Sequence, residues 1–366
     1  MFDLTQYNSS LGFICLFIYI LMLLKSWSVY NGRISRSNNY TFVFICMLLY
    51  SVLGFLEWDT YHYYSLYEMM VKSYYPIHVE EVYFWLIKEL PHNYFLWRFC
   101  IWGGATILMI WSAKKLKLNS NTFCFIAAIL FIIRLTVSRG GLGIALLIYC
   151  SIILTQSIGN KKIIPILFAA TGIVLSTYLH SSMFIFIICM LLAFILPFNK
   201  KLILISLLLF PFLYVSVMQL QGAVMSYLSL NEEQTTFITN YADSEKVLTN
   251  MLGWIPIILE KLTFILLIIF LTKKMVYDNI PQTSTHRLMF KFSYIMLYLS
   301  FLFFEQETSS WISSRTLHAA SFGLVLCSTY CFDNNKNIKR TKLERITILM
   351  LILNSLWGQL YFLYKN

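Results

Sequence analysis

Apolar residues in this chain come in long uninterrupted runs, with neither the alternation of a half-buried strand nor the single stripe of a surface helix. Twelve runs stand out: Leu11–Trp27, Tyr40–Leu56, Tyr94–Trp111, Thr122–Val137, Gly141–Gln156, Ile163–Leu179, Met183–Phe198, Leu202–Leu220, Met251–Leu271, Leu288–Phe304, Thr316–Cys331 and Ile346–Leu363. Runs near this length cross a bilayer core as helices, and a helix keeps all its backbone hydrogen bonds inside itself. The pattern predicts an all-α, polytopic integral membrane protein of about 12 transmembrane helices, forming a single transmembrane domain over 1–366. Two connections, about 57–93 and 221–250, are long; no internal repeat is visible.

Composition agrees. Apolar residues make up 58% of the chain and charged residues 12%, with a mean hydropathy of +0.68. These values exclude a soluble globular enzyme and a disordered protein. The net charge of +11 is a matter of topology, not of nucleic-acid binding, because cytoplasmic loops collect Lys and Arg. One set of alternate connections holds Lys25, Arg33, Arg36, Lys114, Lys115, Lys117, Lys161, Lys162, Lys200, Lys201, Lys273, Lys274, Arg287, Lys336, Lys339, Arg340, Lys342 and Arg345. The other set holds only Lys72, Lys88, Arg139, Lys246, Arg315 and Lys365, together with most of the acids. The first set is expected in the cytoplasm and the second outside. The eight cysteines all fall in apolar runs without a CxxC spacing, and read as small packing residues. The first run has no basic stretch before it and no small-residue cleavage site, so no signal peptide is expected.

The outer segment 57–93 is dense in aromatics, including Tyr61, Tyr64 and Trp85. Its second half, His78–Leu90, alternates acids with apolar residues at helical spacing and predicts an amphipathic helix on the outer leaflet. Such aromatics form an interfacial belt. Flat rings of this kind also stack on the apolar faces of sugars.

Ionisable groups inside apolar spans are costly and tend to be functional. Arg98 lies one turn into the third span and Arg134 one turn from the end of the fourth. Arg139 opens the fifth beside Gly140, Gly141 and Gly143, and His180 closes the sixth. Glu305 and Glu307 close the tenth, while Arg315 and His318 open the eleventh. All fall near the outer face, and no comparable cluster is expected at the inner one. Arginines at one depth repel unless an anion bridges them. A diphosphate fits best, because the guanidinium fork matches phosphate oxygens bidentately, and a glycine-flanked helix start adds free N–H groups. The plain alternative for each arginine is snorkelling to lipid headgroups, and the glutamates could simply pair with arginines. Glu260 and Lys261 sit side by side within a span and cannot face each other on a helix; they have no functional reading from sequence. There is no P-loop, HExxH or GxSxG motif and no DxD in an outer connection. Glu305-Gln306-Glu307 is the nearest approach to a cation pair; no metal or cofactor is expected.

Four segments, in order, resemble the EpsG-like branch of Wzy-type bacterial polysaccharide polymerases. They are the acidic tyrosine-rich stretch Asp59-Thr-Tyr61-His-Tyr63-Tyr64 with Glu80-Glu81-Val-Tyr83, then Ser138-Arg139-Gly-Gly-Leu-Gly-Ile-Ala145, Tyr178-Leu-His180-Ser-Ser182 and Ser314-Arg315-Thr-Leu317. Gly140 stands where such proteins often carry Gln, and His318 where an aromatic residue commonly follows.

The resemblance implies an O-antigen or exopolysaccharide polymerase related to GT-C-like membrane glycosyltransferases. It would work at the outer face of the bacterial inner membrane, with undecaprenyl-diphosphate-linked oligosaccharide as both donor and acceptor. Membrane lipid is its surroundings, and a chain-length regulator protein is an expected partner. Arg139 and Arg315, then Arg134 and Arg98, would bind the diphosphate leaving group. His180 would act as general base or acceptor-positioning group, with Glu305, Glu307 and Asp59 as alternatives. Tyr61, Tyr64 and Trp85 would stack on sugar. The rival readings are a lipid-linked oligosaccharide flippase, a membrane O-acetyltransferase and a glycan ligase.

Overall fold

The computed structural model describes residues 4–31, 39–54, 64, 67, 68, 71, 72, 82–132, 140–180, 182–197, 199–227, 251–278, 280, 282–303, 310–334 and 341–365. Among the described residues all regular structure is helical. We number the helices α1 Leu4–Tyr30, α2 Thr41–Leu53, α3 Val82–Glu89, α4 Tyr94–Lys115, α5 Ser120–Phe131, α6 Gly141–Gly159 and α7 Ile163–Leu179. They continue as α8 Met183–Ile195, α9 Lys200–Tyr227, α10 Met251–Thr272, α11 Ser284–Leu302, α12 Ser310–Asp333 and α13 Lys342–Lys365. The described part of each apolar run lies largely on one of these helices. The short α3 lies within the stretch expected to be amphipathic.

Four of the helices have the length and apolarity to cross a membrane: Leu11–Tyr30, Tyr94–Lys115, Gly141–Gly159 and Lys200–Val217, among the described residues. Thr41–Leu53, Ser120–Phe131, Ile163–Leu179 and Met183–Ile195 are shorter apolar helices. At 1.5 Å per residue a 13-residue helix reaches only about 20 Å, short of a bilayer core of about 30 Å.

Tight turns set the antiparallel neighbours. Lys117 and Lys161 adopt φ of 56° and 54°, left-handed backbone that ends a helix abruptly. The Lys162 N–H then donates to the Ser157 carbonyl at 3.0 Å, and α7 folds back along α6. Gly172 of α7 lies so close to Cys150 of α6 that an added Cβ would collide with its sulfur.

The core is built on α5 and α12, whose described residues are nearly all buried, and on the buried face of α6. Phe131 of α5 meets Phe322 of α12 edge-on at 4.7 Å. Along α12, Gly323 lies against Ser293 of α11, and His286 stacks on Tyr330 at 3.8 Å. By contrast, α9 leaves most of its apolar side chains exposed. It is fastened to α11 by the Tyr298 hydroxyl, which donates to the Ser206 carbonyl at 2.7 Å. The eight cysteines form no disulfide, and seven are buried, consistent with packing roles.

Gly323 is a test of the α11–α12 contact. A Cβ there would strike Ser293 Oγ and stand 3.2 Å from the Met289 carbonyl oxygen. Gly323→Val should cost about 1–3 kcal/mol through overpacking, read as a lower thermal unfolding midpoint in detergent. An unchanged midpoint would contradict this packing.

Candidate functional site

One end of the bundle gathers the site residues that are described. Helix α6 starts there, with Gly140 before its first turn. Gly143 lies against the α7–α8 reversal: a Cβ on it would sit 2.8 Å from Met183 Sδ and 3.4 Å from the Ser176 carbonyl oxygen. A side chain here would have to displace Met183. Its neighbour Leu142 packs on Gly104 of α4 and on the aromatic cluster of Trp97 and Trp102.

His180 ends α7 in extended backbone (φ −166°, ψ 137°) and is buried. Its carbonyl accepts from the Met183 N–H at 3.0 Å, which starts α8. The ring is fixed by Ser182. The Ser182 backbone N–H is 3.1 Å from Nδ1 and the Ser182 hydroxyl is 2.8 Å from the same atom. An amide N–H can only donate, so Nδ1 is an acceptor and the proton of the neutral ring sits on Nε2. The donor of the His180 ring is therefore its Nε2–H.

Arg315 lies in the second turn of α12, half-buried. Residues 315, 318 and 322 share one face at helical spacing. His318 is buried, 5.2 Å from Phe322, which meets Phe131 at the end of α5. Arg315 thus lies on the face turned toward the end of α5, from which the sequence runs on to Arg134.

Arg98 is wholly buried between α2 and α4. Its Nη2 donates to the Ser51 carbonyl at 3.1 Å and its Nη1 to the Tyr94 hydroxyl at 3.3 Å. The guanidinium lies 4.4 Å from the Trp102 ring centroid, a favourable cation–π distance. Gly54, with φ +46°, caps α2 directly against it, where a Cβ would overlap Nη2. Thr106 donates to Ser51 at 3.2 Å, so the arginine belongs to a hydrogen-bonded seam joining α2 to α4.

Above that seam Tyr64 meets Tyr94 edge-on at 5.2 Å, and buried Tyr67 packs on both Tyr94 and Trp97. Burial, followed by the nearby Glu68 carboxylate, raises the Tyr64 phenol above its ordinary range. Trp85 on α3 is 57% exposed, a ring face open to a ligand or to lipid. Arg134, Arg139, Glu305, Glu307, Asp59 and Tyr61 lie outside the described residues. Sequence places Arg139 next to Gly140, and Glu305 and Glu307 between Phe303 and Ser310.

Two features were not legible in the sequence. Lys261 is buried, with its ammonium 3.0 Å from Ser300 Oγ and 2.9 Å from Ser313 Oγ. At the opposite end, where no comparable cluster of site residues is expected, other ionisable groups are buried. Lys274, His286, Asp333 and Glu344 are all buried there. Lys274 was counted as a loop charge, but α10 continues through a π-helical turn, Lys273–Tyr277, that brings it inward to 3.4 Å from Asp278. Asp333 accepts the Asn119 N–H at 2.8 Å.

Apolar helices around buried polar seams define a polytopic membrane protein. The EpsG family model matches residues 38–366, and the chain belongs to the EpsG family, a Wzy-type polymerase family. Membership implies a glycosyltransferase-type polysaccharide polymerase. No curated protein and no solved structure matches.

The Gly54 contact can be tested directly. Gly54→Ala meets both left-handed backbone and the guanidinium, and should lower stability by about 1–3 kcal/mol, measured as thermal unfolding in detergent. A wild-type midpoint would show that the α2 cap and Arg98 are not in contact.

Proposed function

We propose that this protein joins undecaprenyl-diphosphate-linked oligosaccharide repeat units at the outward face of the bacterial inner membrane, through a bundle of twelve spans. The acceptor hydroxyl oxygen attacks the anomeric carbon of the donor. The bond from that carbon to the diphosphate oxygen breaks, and undecaprenyl diphosphate leaves with the electron pair. The hydroxyl proton passes to a nearby base.

The observation that carries the reading, beside family membership, is convergence. The glycine start of α6 packs against the α7–α8 reversal that holds His180, and Arg315 shares its face of α12 with Phe322, which meets the end of α5. Arg139 and Arg315 hold the leaving diphosphate, with Arg134 beside them, since fixed positive charge stabilises charge that develops as the bond breaks. Arg98 underpins this group from the α2–α4 seam. With its proton on Nε2, His180 suits donation to a phosphate or sugar oxygen better than proton removal. The base role then falls to Glu305, Glu307 or Asp59. Tyr61, Tyr64 and Trp85 offer stacking faces to the glycan, and a separate chain-length regulator fits this class of reaction. The buried Lys261 and Lys274 favour a second reading, a flippase, which would carry charge along a central path from both sides, the membrane midplane included.

The lipid-linked glycan profile of a deletion strain separates the two. A single repeat unit on its outward acceptor, with the ladder restored on complementation, is expected. Glycan retained on the cytoplasmic side would mean a flippase. Arg139→Ala and Arg315→Ala should each reduce polymerisation about 10²–10³-fold at normal protein levels, and normal ladders from both would falsify the diphosphate role.

His180 gives an independent check. The side-chain amide of Gln can supply an N–H near the position of Nε2. His180→Gln should retain part of the activity lost in His180→Ala. Equal loss in both, with an acidic limb of the pH–rate profile present only in the native enzyme, would restore His180 as the base.

A further inference from the structure

Lys261 lies ten residues into α10, where a charge gains nothing from packing and loses its hydration. Its surroundings are specific. Ser300, near the end of α11, donates its hydroxyl to the Ser313 carbonyl at 2.9 Å. Ser313, in the first turn of α12, donates its hydroxyl to the Ser300 carbonyl at 2.7 Å. The two serines thus form a reciprocal pair across the helix hairpin, and each hydroxyl oxygen still has a lone pair to accept with. The Lys261 ammonium uses both, at 3.0 and 2.9 Å. Its stem passes the Phe301 ring, with Nζ 5.4 Å from the centroid. A side chain on a helix leans toward the helix start, so Lys261 reaches toward the end of the bundle where α11 closes and α12 opens. One cation therefore joins three helices at the hairpin that carries Glu305 and Glu307 in its connection.

Ser313 and Arg315 are two residues apart and lie on nearly opposite faces of α12. The clasp holds the first turn of α12 from behind, while Arg315 is presented on the other side. We propose that Lys261, acting through Ser300 and Ser313, is a positioning residue for Arg315. This rests on the reading of Arg315 as a diphosphate-binding group. The clasp fixes where the guanidinium stands when the leaving group departs, and Lys261 itself need not touch the substrate.

The test is a double-mutant cycle on the full chain in lipid nanodiscs, with a lipid-diphosphate-linked repeat unit as substrate. Lys261→Met keeps the length of the stem and removes the charge. It should lower kcat about tenfold while KM for the donor moves little, since an interaction realised in the transition state is lost. Lys261→Arg, which can still reach two hydroxyls, should recover most of the loss. In the Arg315→Ala background, adding Lys261→Met should cost almost nothing more, because the group being positioned is already gone. Multiplicative effects of the two substitutions would overturn the positioning role while leaving Arg315 in place. Full activity of Arg315→Ala alone would instead overturn the diphosphate reading on which it rests. If Lys261→Met does not accumulate, Ser300→Ala with Ser313→Ala makes the same test. That pair should reduce kcat in the native background and not in Arg315→Ala, and equal reduction in both would refute the proposal.

Discussion

A cation removed from water must be given partners at fixed places, and that constraint shapes this bundle. Arg98 meets it with a carbonyl, a phenol and an indole face, at the price of a left-handed glycine beside it. Lys261 meets it with two serine hydroxyls borrowed from two other helices. Lys274 meets it with Asp278 on its own chain. In the first two cases the helices are held by the group they had to accommodate. Apolar packing between lipid-surrounded helices carries little directional information, and a hydrogen bond between such helices adds about 0.6 kcal/mol on average. The polar seams therefore do more to fix register than to add stability.

The same constraint divides the bundle along its length. Its middle, around Phe131, Phe322 and the buried face of α6, is aromatic and aliphatic. Buried Ser151, Ser293 and Ser321 lie within that layer, whereas buried Arg98, His180, His286, Asp333 and Glu344 lie near helix ends. At the His180 end the groups come from helix starts and from a chain reversal, where backbone N–H and carbonyl groups lack helical partners. At the opposite end Asp333 accepts the Asn119 N–H at the start of α5, and the Tyr40 hydroxyl donates to the Leu118 carbonyl. That end is tied by bonds between neighbouring helix termini, which suits a closed base better than a passage.

Much of this was legible in the sequence because long apolar runs admit few interpretations. The described parts of the twelve runs lie largely on helices. Other features depend on direction and not on composition. Which nitrogen of His180 carries the proton follows from the Ser182 N–H pointing at Nδ1. Arg98 lies one turn into its helix, as the sequence has it, but its burial depends on Gly54, whose positive φ is a property of the folded turn. Lys274 was read as a loop charge because an apolar run had ended, whereas the helix had not. Lys261 looked anomalous next to Glu260, since its partners lie 39 and 52 residues away.

On the proposed reading, two demands are placed on one site. The diphosphate must be met by charge that does not move, because donors aligned before the reaction need no reorganisation as charge develops. The glycan must be able to move, because each cycle lengthens it by one repeat unit. The chain separates these demands. Arg315 stands on a buried helix braced from behind by Ser313, and Arg139 adjoins the close-packed glycine start of α6. The aromatic faces offered to sugar, Trp85 among them, lie on the short α3 and in the long outer segment. Stacking on such rings tolerates sliding, since a flat face imposes no hydrogen-bond register. On that reading, a fixed cationic seat and a permissive aromatic surface answer the two demands of a repeating glycosyl transfer.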